Sequence, residues 1–231
     1  MVQHSLESNP TLDPGGHALR QIGAVALLSV LLGFMMQGFI LTAKLAAGGA
    51  PPGILFISDL AQGVTWSFFV CTGVSIGVFL SKARASVAGF IALVCAPIAV
   101  ALAKSAQKTM NGVLKAADQP AVLSLATISI LRAIEYGILG WLLAKLVQQD
   151  SLKIGHYIGS GVLIGVVFGG GIAFLTYSSS VTMGSPQTLP KIFGTVMNEV
   201  GSPIGCALLI YIGQWIAHRH KLITMIGGQV S

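Results

Sequence analysis

Two residues at the centre of an apolar stretch carry most of the chemistry this chain can do. Arg132 and Glu135 stand three positions apart in a run from 124 to 147, whose midpoint lies near residue 135. On a helix that spacing is about one turn, so both side chains share a face. At the middle of a membrane-spanning helix each charge costs about 2.5–3.5 kcal/mol on insertion scales. An i,i+3 pair of opposite sign offsets part of that cost and leaves the rest. The face bearing the pair therefore has to point into a bundle, a hydrated path or a subunit contact. Two readings follow. The pair handles a proton, an ion or a charged substrate group, or it is a salt bridge that fixes helix packing.

The next acid at depth is Glu199, with Asn198 beside it and Pro203 four residues on. Proline at 203 removes the N–H that would bond the carbonyl of residue 199. A carboxylate, an amide and a freed carbonyl together form a donor set suited to a cation. The alternative makes residues 190–199 an interfacial helix, starts the span at Val200 and leaves Glu199 at the water boundary. Asp59, with Gln62 about one turn later, opens another apolar run and reads as an acid favoured near a helix N-terminus by the dipole. Arg132, Glu135, Asn198, Glu199 and Asp59 are thus the expected ion or ligand pathway.

Glycines form a second pattern. Gly161, Gly165 and Gly169 recur every fourth residue, as do Gly73 and Gly77. Small residues at this spacing let two helix backbones approach closely in a membrane. Gly170 and Gly171 extend the first set, which admits a break that would expose carbonyls there. Ser178, Ser179, Ser180 and Thr182 then read as a polar loop at a mouth.

Other chemistry finds little support in the residues. His4, His17, His156, His218 and His220 lie in tails or at run ends, whereas a transmembrane haem needs axial ligands within the spans. There is no P-loop and no His-Glu-x-x-His. Cys71, Cys95 and Cys206 sit in apolar stretches and read as buried small hydrophobes. No enzymatic activity, cofactor or metal is expected.

The elements that must hold these residues follow from composition. The 231 residues are 54% hydrophobic and 9% charged, against roughly 25% charged in a soluble domain. Such a chain cannot cover a soluble globule with polar groups, and it is too apolar for a disordered segment. Six runs, 24–43, 60–80, 86–103, 124–147, 156–177 and 192–217, approach or exceed the ~20 apolar residues that cross a bilayer. The alternating segments of a β-barrel are absent. The expected fold is all-α: a polytopic membrane bundle of about six transmembrane helices spanning 21–217. Residues 1–20 read as a flexible polar tail and 218–231 as a short C-terminal tail. Between the third and fourth runs, Lys104, Lys108, Asn111 and Lys115 share one helical face, opposite Ala106, Met110, Val113, Leu114 and Ala117. That pattern predicts a basic amphipathic helix at headgroup level, separate or continuing the third span.

Thirteen basic and seven acidic residues give a formal charge of +6. The basic residues flank apolar runs, which points to anionic headgroups as partners and away from nucleic acid. Six spans put both termini on one side. Arg20, Lys82, Arg84, Lys145, Lys153, Arg219 and Lys221 fall there, and Lys44, Lys104, Lys108, Lys115 and Lys191 fall opposite. The positive-inside rule then predicts cytoplasmic termini. The functional expectation is a small transport protein, a channel or transporter for an ion or small solute, assembled as a homo-oligomer. The alternative is a non-catalytic subunit of a larger membrane complex.

Overall fold

A computed structural model describes residues 14–81, 84–117, 122–184 and 187–227. Its helices are α1 (Pro14–Ala46), α2 (Leu55–Leu80), α3 (Ala85–Leu114), α4 (Leu125–Gln148), α5 (Ile154–Ile164), α6 (Gly170–Thr182) and α7 (Leu189–Gly227). A π-helical segment, Gly165–Gly169, joins α5 to α6 without a break. The result is six rods and, among the described residues, no strand. Local chemistry fixes several ends. The hydroxyl of Ser124 accepts the Thr127 N–H at 3.1 Å and caps α4. Gly48 and Gly184 turn the chain out of α1 and α6 with φ of 81° and 70°, a region open to glycine without strain.

Five helical stretches, Ala18–Ala46, Leu55–Leu80, Ala85–Leu114, Ile154–Thr182 and Leu189–Arg219, are long and apolar enough to cross a membrane. Large apolar side chains such as Leu27, Phe90, Val113 and Phe174 are exposed on the outside, as expected for a surface that faces lipid. The chain is an all-helical, multi-pass membrane protein by these criteria. The sixth expected span, α4, is not among the five. Its 24 residues reach about 36 Å at the usual rise, but it carries Arg132, Glu135 and Lys145.

Three local expectations change. Residues 14–20, read as part of a tail, form the first turns of α1, with Ala18 buried. Likewise residues 218–227 continue α7 instead of forming a tail. The tail readings for residues 1–13 and 228–231, and Lys82, lie outside the described residues. The basic stretch after the third run is not a separate interfacial helix but the end of α3. Its polar side is turned partly inward: Asn111 is buried, and Gln107 hydrogen bonds to Asp59 on α2. Val113, on the apolar side, is 72% exposed.

Small residues set the packing. Ala88, Ala92, Ala96, Ala99 and Ala103 form a buried stripe along α3. Gly77 of α2 and Gly140 of α4 close on opposite sides of it: a Cβ at Gly77 would lie 2.8 Å from the Ala88 carbonyl, and one at Gly140 would lie 2.7 Å from Ala92 Cβ. A Cβ at Gly73 would lie 2.5 Å from Cys95 Cβ, also on α3. The main interfaces run α4–α3–α2–α1–α7–α5, and a smaller α4–α5 contact closes the ring. Across its interior α2, α4 and α7 meet one another. That junction holds the charges.

Candidate functional site

Arg132 has a carboxylate at each end of its guanidinium. Nη1 donates to Glu135 Oε2 at 2.8 Å, and Nη2 lies 2.6 Å from Glu199 Oε2, off the hydrogen-bond direction. Glu135 comes from the same helix, one turn on; Glu199 comes from α7. Exposure is 5% for Arg132, 0% for Glu135 and 8% for Glu199. In an apolar environment one guanidinium between two ionised carboxylates leaves one negative charge uncompensated, which is far costlier there than in water.

The second coordination of each acid differs. Asn198 donates its amide to Glu199 Oε1 at 3.1 Å, while Glu199 Oε2 is held only by its ion pair with Arg132. Glu135 Oε1 has no hydrogen-bond partner among the described residues, although the residue is fully enclosed. The surrounding walls are aromatic. The guanidinium carbon of Arg132 lies 5.0 Å from the Trp66 ring centroid and 6.0 Å from that of Tyr136. These two rings meet edge to face at 5.5 Å. Cation–π attraction spreads part of the arginine charge over both faces. Trp66 Nε1 and the Tyr136 hydroxyl are also buried without a hydrogen-bond partner among the described residues.

Backbone irregularity meets the site on the α7 side. Pro203 lies inside α7 and, having no N–H, leaves the Glu199 carbonyl outside the helical ladder. The π-helical segment of the neighbouring rod ends at Gly169, where a Cβ would run into that carbonyl. One turn earlier a Cβ at Gly165 would lie 2.7 Å from the Val200 carbonyl, and another turn earlier one at Gly161 would lie 2.7 Å from Ile204 Cα. The glycine stripe therefore lets this rod sit directly on the α7 backbone. Single-turn π segments occur often at functional sites. Here one faces a proline break beside a buried acid.

The expected pathway residues divide. Arg132, Glu135, Glu199 and Asn198 come together. Glu199 is buried against the neighbouring helices, within a continuous α7 that begins at Leu189 and has no separate interfacial helix before Val200. Asp59 belongs elsewhere. It is half-buried in the second turn of α2, about 10 Å along the axis before Trp66 at the usual rise. There it accepts from Gln107 Nε2 at 3.1 Å, and Gln107 Oε1 accepts from Lys104 Nζ at 3.0 Å. The serines read as a mouth loop lie within α6, where Ser178, Ser180 and Thr182 donate to carbonyls of their own helix at 2.7–2.8 Å.

Trp66 was not among the expected site residues. Its position offers a signal, because tryptophan in membrane helices concentrates at the interfaces, whereas Trp66 sits near the middle of α2. The other two tryptophans behave ordinarily. Trp141 lies under Lys145 at 3.8 Å and Trp215 under Arg219 at 4.4 Å, each pair toward the end of its helix or apolar run. Compared with protein-family models, curated proteins and solved structures, the chain gives no match.

Proposed function

We propose that this chain is a small membrane transport protein whose path for an ion or small solute passes the junction of α2, α4 and α7. The observation that carries this reading is the Glu135–Arg132–Glu199 cluster. It holds an excess of acid contributed by two helices, with two carboxylate oxygens, Glu135 Oε1 and Glu199 Oε2, accepting no hydrogen bond among the described residues and only the second of them in an ion pair. Intramembrane ionisable residues are functional-site candidates by default because their insertion is so costly. The Pro203 break and the facing π segment add a place where backbone can rearrange beside the cluster.

In this reading α4 crosses the membrane as the sixth span, its charges shielded by α2 and α7. Both termini then share one side. The Trp141–Lys145 and Trp215–Arg219 pairs suit an interfacial belt on that side, and the basic residues favour the cytoplasm. The basic end of α3 faces the opposite headgroups, with Lys108 exposed. The working assembly is a homo-oligomer.

The test is flux in proteoliposomes. Glu135→Gln and Glu199→Gln keep side-chain size and remove charge, and each is expected to change flux while the protein elutes and unfolds as a folded bundle. Unchanged flux in both variants would remove these residues from the path.

A second reading is favoured by the burial of the cluster, in which no member exceeds a tenth exposed. The ion pairs would then clamp α4 to α7 in a non-catalytic subunit of a larger complex. Gentle solubilisation followed by native mass measurement separates the two, since a reproducible heteromeric mass supports the subunit reading.

A further inference from the structure

We infer that the species carried is the proton, and that it rides on Glu135. The inference rests on the transport reading and names its substrate. Three facts about the cluster lead to it. First, two carboxylates share one guanidinium, so a single added proton makes the enclosed group neutral. Second, the carboxylates are unequal. Glu199 has Asn198 at Oε1 and Arg132 at Oε2, whereas Glu135 has Arg132 at Oε2 and nothing at Oε1. A proton on Glu135 Oε1 leaves every existing contact intact, because Oε2 still accepts from Arg132. Each carboxylate accepts one hydrogen bond, but the free oxygen of Glu199 lies 2.6 Å from Arg132 Nη2, so a proton there would disturb the ion pair that joins α4 to α7. Third, Glu135 is fully enclosed. A hydrated metal cation needs several oxygen ligands around it, while a proton needs one oxygen.

The charged and titratable groups around Glu135 come from every helix at the junction. They are Arg132 and Tyr136 on α4, Glu199 and Cys206 on α7, and Cys71 on α2, whose thiol, like that of Cys206, stands close to Tyr136. Among the described residues Arg132 is the one cation there, and it is already shared. The Tyr136 hydroxyl, one residue on and also without a hydrogen-bond partner among the described residues, is a second proton-bearing group at the same junction. The step is a bare proton transfer. Glu135 Oε1 gains a proton from one side and releases it to the other, with no electron exchange.

Two measurements test this. Infrared spectroscopy of the reconstituted protein at neutral pH should contain the carbonyl stretch of an undissociated carboxylic acid, lost in Glu135→Gln and kept in Glu199→Gln. Its absence from the unsubstituted protein, or its loss only in Glu199→Gln, overturns the inference. In proteoliposomes holding a pH-sensitive dye, a potassium diffusion potential set by valinomycin should acidify the interior. Glu135→Gln should slow this by ~10²-fold or more, the scale of a lost proton-transfer group. Sodium or chloride flux without acidification, still lost in Glu135→Gln, overturns the proton and leaves the transport reading standing. No flux of any of these ions overturns the inference and confines the transport reading to other solutes.

Discussion

Among the described residues, acid and base from different helices meet at two places, and the two could hardly be more unlike. At the α2–α4–α7 junction Arg132 bridges Glu135 and Glu199 directly, with no member more than a tenth exposed. At one end of α2 and α3, Lys104 and Asp59 are half-buried and joined through Gln107. Solvent and headgroups can screen the second cluster, so its net worth is that of an ordinary surface contact. The first cannot be screened by water, so its charges must balance each other or carry a proton. The same residue types thus anchor a helix end in one place and define a candidate pathway in the other.

The largest expected effect comes from breaking the balance in the buried cluster. Arg132→Gln leaves two carboxylates with no cation, and removing one partner of a buried pair typically costs ~3–5 kcal/mol. A thermal melt in detergent should register that loss. Replacing all three charges with apolar side chains of similar volume, as in Arg132→Met with Glu135→Leu and Glu199→Leu, should behave oppositely. Such replacements are often neutral or stabilising by ~1–4 kcal/mol. If the triple variant is stable and flux is lost, the charges are retained for transport. A stable variant with undiminished flux would reduce them to a packing device.

Glycine seams sharpen the same contrast at intermediate size. A valine at Gly140 must displace Ala92, and a valine at Gly169 must displace the Glu199 carbonyl. Overpacking of this kind costs ~1–3 kcal/mol. Both variants should lower the melting temperature by comparable amounts. Only Gly169→Val moves the residue that holds Arg132, so it should also change flux by more than Gly140→Val does. Equal effects on flux would mean that the cluster senses general looseness and not its own backbone.

How much of this the sequence disclosed depends on range. The Arg132–Glu135 bond was readable because both residues lie one turn apart on a single helix, where geometry is fixed by the period. Glu199 was visible as an acid at depth, but its partner was not, since the choice of neighbour between α4 and α7 is made by tertiary packing. The glycines announced close approach without saying that α7 would be approached, or that Gly169 would face the carbonyl freed by Pro203. The errors have the same origin. The polar face of the α3 end suggests headgroups as its partner, yet part of it, Gln107, hydrogen bonds to Asp59 on α2. The Ser178–Thr182 stretch looks like a polar loop in sequence, but its hydroxyls satisfy themselves on their own helix.

The smallest expected effect belongs to the end cluster and completes the contrast. Asp59→Asn keeps an oxygen that can still accept from Gln107 Nε2 and removes only the charge that faces Lys104 through that amide. A half-exposed pair of this kind is worth ~0.2–1 kcal/mol, so the melt should shift slightly. Salt should erase the difference, because the Debye length falls from about 8 Å at physiological ionic strength to about 3 Å at 1 M. The loss in Arg132→Gln should survive the same salt, since its charges are enclosed. A shift in Asp59→Asn that is large or indifferent to salt would mean that Asp59 is shielded as well as the buried cluster is. The distinction between a solvated anchor and a dry proton site would then fail at its simplest point.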